Sequence, residues 1–305
     1  MPPVILAAMV APSEIAHRVV EMFRQAAEAN LATPAREGNV VFLSAAQADD
    51  VMIAGDLHGH RLNFHRLRRI ADMASHPRRH LVLQEVCHGG PTYPSHHGCM
   101  SHLLLEDMAA LKVRYPERFH FLMSNHEMAE VNDHLIAKGG RMLNMQFRAG
   151  LLEMYGEEAD QVRDALVAFL STCPLAVRME NGVFICHSIP QFVDERGFDA
   201  EIFSRALAPE DLQPEGAAFC LVWGRDFRPE NAEAFARQIG ADVLIHGHEP
   251  SAEGFSIPND RQIILDCTGS RAAYVILPTD EKLRHSDVVR RIQALHAPNR
   301  SEAGR

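Results

Sequence analysis

Five apolar runs in this chain each end on residue types that bind metal ions. Residues 51–54 run into Gly55-Asp56-Leu57-His58-Gly59, and residues 81–83 into Gln84-Glu85. Residues 121–123 precede Ser124-Asn125-His126-Glu127, residues 183–186 precede His187, and residues 243–245 precede His246-Gly247-His248. Short apolar runs closed by turn-forming residues read as buried strands. In open α/β sheets, ligands gather beyond the carboxyl ends of the strands. A chain with five such ends is therefore restricted to folds that bring them to one place. Asp56 and His58, two residues apart at a strand mouth, both reach a single ion.

The rest of the pattern predicts a mixed α/β domain. A helix is expected over residues 13–32, with Ile15, Val19, Met22, Phe23 and Ala26 at helical spacing. Further helices are expected over 60–75 and 100–113, and strands over 40–43, 51–54 and 119–123. Residues 129–170 read as a mostly helical insertion. Strands then follow over 175–178, 183–186, 220–223, 243–245, 263–265 and 273–277. The expected organisation is an N-terminal helical extension (1–38), a catalytic domain (39–280), and a C-terminal helix and tail (281–305), polar beyond residue 298.

Charge and composition narrow the function classes. With 47% hydrophobic and 23% charged residues, the 305-residue chain has the make-up of a folded globular protein. A formal net charge of −10 argues against charge-driven nucleic-acid binding. The arginines at 61, 66, 68, 69, 78 and 79 read as a solvated helix face rather than a basic patch. The six cysteines lie far apart with no CxxC pair, which fits reduced thiols in a cytoplasm. Residues 4–10 are apolar but short for an export signal, and no run reaches membrane-spanning length.

Carboxylate, amide and imidazole ligands together suit two divalent ions such as manganese, iron, zinc or nickel. Manganese is the first choice for reconstitution. In such a centre Asp56, His58 and Glu85 hold one ion. Glu85, Asn125, His187 and His248 hold the other, with Glu85 bridging. His126 faces the substrate and protonates the leaving oxygen. His246 is expected to lie within its strand. The chemistry is hydrolysis of a phosphoester by water activated on the ions.

These motifs carry a resemblance to the calcineurin-like metallophosphoesterases, especially their phosphoprotein phosphatase branch. Gly55-Asp56-Leu57-His58-Gly59 resembles the first family motif, and Ser124-Asn125-His126-Glu127 resembles Gly-Asn-His-Glu with serine for glycine. His187-Ser188 and Gly247-His248 resemble the later histidine motifs. Leu221-Val222-Trp223 resembles an apolar-tryptophan segment, which makes Arg225 a phosphate ligand by implication. The resemblance spans about residues 50–270. It implies a layered α/β/β/α sandwich of mixed sheets and a phosphorylated substrate, protein or small molecule. A nucleotide or dinucleoside-polyphosphate hydrolase on the same core, and a metal-binding pseudo-phosphatase acting through protein contacts, are the alternatives.

One motif departs from the family. Where the family has Gly-Asp-x-x-Asp-Arg-Gly, this chain has Gln84-Glu85-Val86-Cys87-His88-Gly89-Gly90. His88 stands in place of the aspartate that orients the acid histidine, and Gly89 in place of a phosphate-gripping arginine. From sequence, His88, His96 and His97 read as solvated loop residues, and His126 as an acid without its orienting carboxylate. A preference for good leaving groups is expected to follow.

Overall fold

The computed structural model describes residues 12–95 and 97–296. Residues 4–10, His96 and the tail beyond residue 298 lie outside them. Two sheets face each other. One has five strands in the order Ile292–Ala294, Ala273–Pro278, Asp50–Asp56, Arg79–Gln84 and Phe119–Leu122. The other has seven, in the order Arg36–Glu37, Val40–Leu43, Ala176–Met179, Val183–Cys186, Val243–His246, Gln262–Leu265 and Phe255–Ser256. Both sheets mix parallel and antiparallel pairs.

Strand alternation explains the layers. Val51 and Ile53 point between the sheets and pack with Val82, Leu122, Ile185 and Ile245. Met52 and Ala54 point the other way, into a second core shared with Phe64, Leu67, Leu104 and Met108 of the helices Arg61–Ala71 and His102–Arg114. On the far side, the helix Pro229–Ile239 sets Phe235 against Phe184 of the seven-stranded sheet. The result is helix, sheet, sheet, helix, the expected α/β/β/α sandwich. The helix Pro12–Leu31 buries Ala16, Phe23 and Ala26 against the helices His102–Arg114 and Ala159–Ser171.

One expectation needs correction here. Residues 220–223 are not a strand: Ala217–Trp223 is a helix that starts at Gly216 and buries Ala218, Leu221 and Val222. Those positions follow i, i+3, i+4, a helical period that a short apolar run hides. The segment 129–170 is mostly helical, as expected, and it also holds a hairpin of Ala137–Lys138 and Arg141–Met142. Its turn residues, Gly139 and Gly140, have φ of 58° and 74°, the left-handed pair favoured in two-residue hairpin turns. At the C-terminal side, a short helix, His285–Val289, leads into the edge strand Ile292–Ala294.

Backbone hydrogen bonds join the sheets at a seam where Asp56 bridges to Asp266 and the Cys267 amide donates to the Asp56 carbonyl at 2.9 Å. Gly55 is required there, since a Cβ would overlap the Leu265 backbone.

Candidate metal centre

All five strand ends open onto this seam. Asp56 ends the strand Asp50–Asp56, and Glu85 follows Arg79–Gln84. Asn125 opens a helix directly beyond Phe119–Leu122, His187 follows Val183–Cys186, and His248 lies two residues beyond Val243–His246. Asp56, Glu85, Asn125, His187 and His248 are buried, while His58 and His126 are half-buried at the mouth. His246 stays within its strand, its Nε2 at 3.0 Å from the Gln262 amide, as expected.

Glu85 lies at the junction of two clusters. Its Oε2 is 3.3 Å from His58 Nε2. Its Oε1 is 3.5 Å from His187 Nε2 and 3.9 Å from His126 Nε2. His58, Glu85 and His126 thus form one group with metal-ligand spacing, and Glu85, His187 and His248 form another. Asn125 Oδ1 joins the second group, 2.7 Å from His187 Nε2 and 3.1 Å from His248 Nδ1. Asp56 accepts the His248 amide N–H at 3.0 and 2.9 Å, which fixes its carboxylate between the sheets.

The site fits cations on physical grounds. Glu85 Oε1 and His248 Nε2 are buried without hydrogen-bond partners, and buried polar atoms of this kind normally have them. Burial pushes the Glu85 carboxyl up to about 8. Burial, with Glu85 beside it, holds Asp56 well above the carboxylate range. Burial also drives His248 down to about 3 and His187 well below its usual value. Neutral imidazoles and carboxylates lacking a counter-charge are what a divalent ion binds. Backbone geometry at the centre is costly as well. His58, Glu85, His88 and His248 all have φ between 40° and 71°, left-handed values that cluster where function holds them in place.

Supporting contacts orient the candidate ligands, and the sequence reading missed them. Gln84 Oε1 lies 3.0 Å from His187 Nδ1, so it takes that proton and leaves Nε2 free to ligate. Ser124 caps the helix Asn125–Val131, its hydroxyl accepting from the amides of His126 (3.2 Å) and Glu127 (3.4 Å). Glu127 is fully buried and accepts from the amides of Val86 (2.9 Å) and Cys87 (2.7 Å), bracing the loop after Glu85. A polar residue at the end of an otherwise apolar strand was the signal for Gln84.

His88 is not solvated, contrary to the sequence reading. It is buried, with Nδ1 at 3.1 Å from His126 Nδ1 and Nε2 at 2.8 Å from Glu130 Oε1. The loop folds inward because Gly89 and Gly90 pack on the backbone of His58 and Gly59. His97 is exposed, as expected. Arg225 is half-exposed and paired with Glu249, one residue beyond His248.

A family model described as calcineurin-like phosphoesterase matches residues 50–252. The chain belongs to the calcineurin-like phosphoesterases. Within this family its sequence is similar to serine/threonine-protein phosphatase 5 of Homo sapiens and of Rattus norvegicus, each 23% identical over 205 residues. Those matches cover 59% of this chain but only 38% of the relatives' length. Among solved structures, a protein serine/threonine phosphatase from Saccharomyces cerevisiae superposes with a TM-score of 0.68 at 14% identity, covering 93% of this chain and 90% of that one. A cold-active protein-tyrosine phosphatase of a psychrophilic Shewanella gives 0.56 at 12% identity, covering 85% and 83%. These structures share the sandwich that a calcineurin-like phosphoesterase uses to hold its site. Among the described residues, no helix of this phosphoesterase is long and apolar enough to cross a membrane.

Proposed function

We propose that this chain is a metal-dependent phosphomonoester hydrolase working at a centre for two divalent ions. The observation that supports this most is the position of Glu85, one oxygen facing His58 and the other facing His187 and His126. Asp56, His58 and Glu85 would hold one ion; Glu85, Asn125, His187 and His248 would hold the other. Two such ions supply, when bound, an activated water and neutralisation of the phosphate charge. The remaining work falls to the chain.

His126 is the proposed general acid. Its Nε2 faces the same space as Glu85, at the mouth of a cavity of about 420 Å3 that Asp56, His58 and Lys138 also line. Burial and the neighbouring imidazoles of His58 and His88 hold His126 well below its usual value in the free protein. An anionic phosphate docked beside it acts in the opposite direction, favouring the protonated ring. Lys138, which lines the cavity from its hairpin, and Arg225, beside His248, are the cations we assign to that phosphate. Lys138 would then stand in for the arginine that Gly89 displaces.

Manganese is the ion proposed for reconstitution, and a phosphorylated protein or small molecule the substrate. All six cysteines are free thiols, which suits the reducing cytoplasm we propose as its compartment. The test is turnover of nitrophenyl phosphate by the manganese-loaded protein, followed by a panel of phosphoserine, phosphothreonine and phosphotyrosine peptides and dinucleoside polyphosphates. Manganese-dependent turnover lost in Glu85→Gln together with metal supports the reading. Full metal occupancy without turnover of any of these would favour a pseudo-phosphatase instead.

A further inference from the structure

The sequence puts a histidine where the acid's orienting carboxylate belongs, yet a buried carboxylate is present one ring further away. Glu130 lies four residues beyond His126 on the helix Asn125–Val131, and therefore on the same face. Its hydrogen bonds go to His88 and Asn144, not to His126. His88 stands between them, its two ring nitrogens 3.1 Å from His126 Nδ1 and 2.8 Å from Glu130 Oε1. The His88 and Glu130 side chains are both fully buried. Asn144 Nδ2 donates to the same Glu130 oxygen at 2.9 Å, and Phe147 packs edge-on against the His88 ring at 5.7 Å. His126 is half-buried at the mouth, but the two groups behind it are shut off from solvent.

We infer that Glu130 and His88 are positioning residues for His126, a carboxylate–imidazole relay replacing a direct carboxylate contact. The proton assignments follow from one end. An ionised carboxylate only accepts, so His88 Nε2 carries a proton and donates it to Glu130. His88 Nδ1 is then a lone pair and accepts from His126 Nδ1–H. That leaves His126 Nε2 as the nitrogen that faces Glu85 and the cavity. Which ring nitrogen of a histidine is available is set by the hydrogen bond the other makes. The chain therefore fixes both the tautomer and the ring plane of His126. It also removes the reason to expect a handicapped acid: the wild type should handle poor leaving groups without the penalty that His88 alone suggests.

The inference rests on the proposed role of His126 as acid, and two measurements separate the two ideas. The first needs no turnover. Long-range proton–nitrogen correlation spectra of the metal-free protein should show His126 and His88 in opposite tautomers, His126 as Nδ1–H and His88 as Nε2–H. In Glu130→Gln the amide can donate as well as accept, so the assignment at both rings should become mixed or reverse. The second compares phenyl phosphate with nitrophenyl phosphate in the manganese-loaded protein. Glu130→Gln should slow kcat on phenyl phosphate by roughly tenfold or more, the scale of losing a supporting hydrogen bond at such a site. It should cost nitrophenyl phosphate only about two- to threefold, with KM and metal content unchanged, since that leaving group needs little protonation. Glu130→Asp, which keeps the charge, should recover part of the difference. If Glu130→Gln fails to fold, the wild-type tautomers still decide: His126 protonated on Nε2 overturns the relay. Equal slowing of both substrates also overturns it. A protein with the expected tautomers but no turnover of any phosphoester would refute the hydrolase reading and leave the relay standing.

Discussion

Gly247 is a sensitive handle on the proposed centre because it ligates nothing. A Cβ at this position would overlap Asp56 Oδ1 and sit 3.3 Å from Gln84 Cδ. To restore ordinary contact, the Asp56 carboxylate of Gly247→Ala must retreat by about 1.4 Å, nearly three times the roughly 0.5 Å tolerance of a working site. The move also stretches the bifurcated hydrogen bond from the His248 amide, a charge-assisted contact of about 1.5–3 kcal/mol. A hundredfold loss of manganese affinity, about 2.7 kcal/mol, is the expected result. Thermal denaturation reads it directly. At a manganese concentration one hundred times the wild-type Kd, the ion that Asp56 would help hold stabilises the wild type by about 2.7 kcal/mol and the variant by only about 0.4 kcal/mol. Unfolding entropies near 0.64 kcal/mol/K are typical for a chain of this size, so that ion's share of the manganese-induced rise in Tm should be about 4 °C in the wild type and under about 1 °C in the variant. Gly269→Ala, whose Cβ would meet only Arg271 N at 3.9 Å, is the control and should keep the full rise. A Gly247→Ala protein with wild-type manganese response and two bound ions by elemental analysis would refute the placement of Asp56 in the centre.

Four further outcomes are expected. Ser124→Ala should destabilise by about 1 kcal/mol in urea and Ser124→Gly by less, since glycine is tolerated at a helix N-cap; the reverse order would show that the hydroxyl does not cap. Lys138→Ala should raise KM for phosphomonoesters with kcat and metal content nearly unchanged, whereas a fall in kcat alone would remove it from substrate binding. His126→Asn should slow alkyl phosphates much more than nitrophenyl phosphate while retaining both ions; loss of an ion would mean that this imidazole is a ligand of the His58–Glu85–His126 group. The fourth concerns a histidine pair far from the centre. His80 Nδ1 and His120 Nε2 are 2.9 Å apart, and burial lowers His80 to about 4 and His120 well below its usual value. Both rings are neutral above the unfolded value near 6.5. Below it the unfolded chain takes up protons first, so stability falls as pH drops from about 6.5 towards 4. His80 alone should cost about 1.4 kcal/mol between pH 7.5 and 5.5, measured by urea unfolding of the metal-free protein. The loss should shrink in His80→Phe, and an unchanged pH slope there would place its origin elsewhere.

The strand ends were legible because burial and turn chemistry are written in composition: residues 51–54 and 183–186 have no reading as exposed structure. Their convergence followed from sheet topology, in which neighbouring parallel strands end on the same side. The helix at Ala217–Trp223 was not legible, because seven residues give fewer than two full turns of period and the apolar content of Leu221-Val222-Trp223 suits either element. His88 was misread for a different reason. Its neighbours Gly89 and Gly90 mark a loop, and loops usually run over the surface. Only the backbone of His58 and Gly59 against those glycines turns the loop inward. The spacing His126-x-x-x-Glu130 was present in the sequence as a helical pair, but the ring that joins them comes from another strand's end.

The seam between the sheets makes the proposed centre a late product of folding. Asp56, His58, Glu85 and Asn125 belong to the first 125 residues of the chain, but His187 and His248 come from the opposite sheet. The strand Ala273–Pro278, which flanks Asp50–Asp56, is made later still. A chain leaving the ribosome therefore exposes its first two or three donor groups long before the rest exist, spread over loops that no sheet yet holds together. It cannot grip an ion tightly during synthesis, nor turn over substrate half-made. Activity in such a molecule reports that both halves have closed on each other.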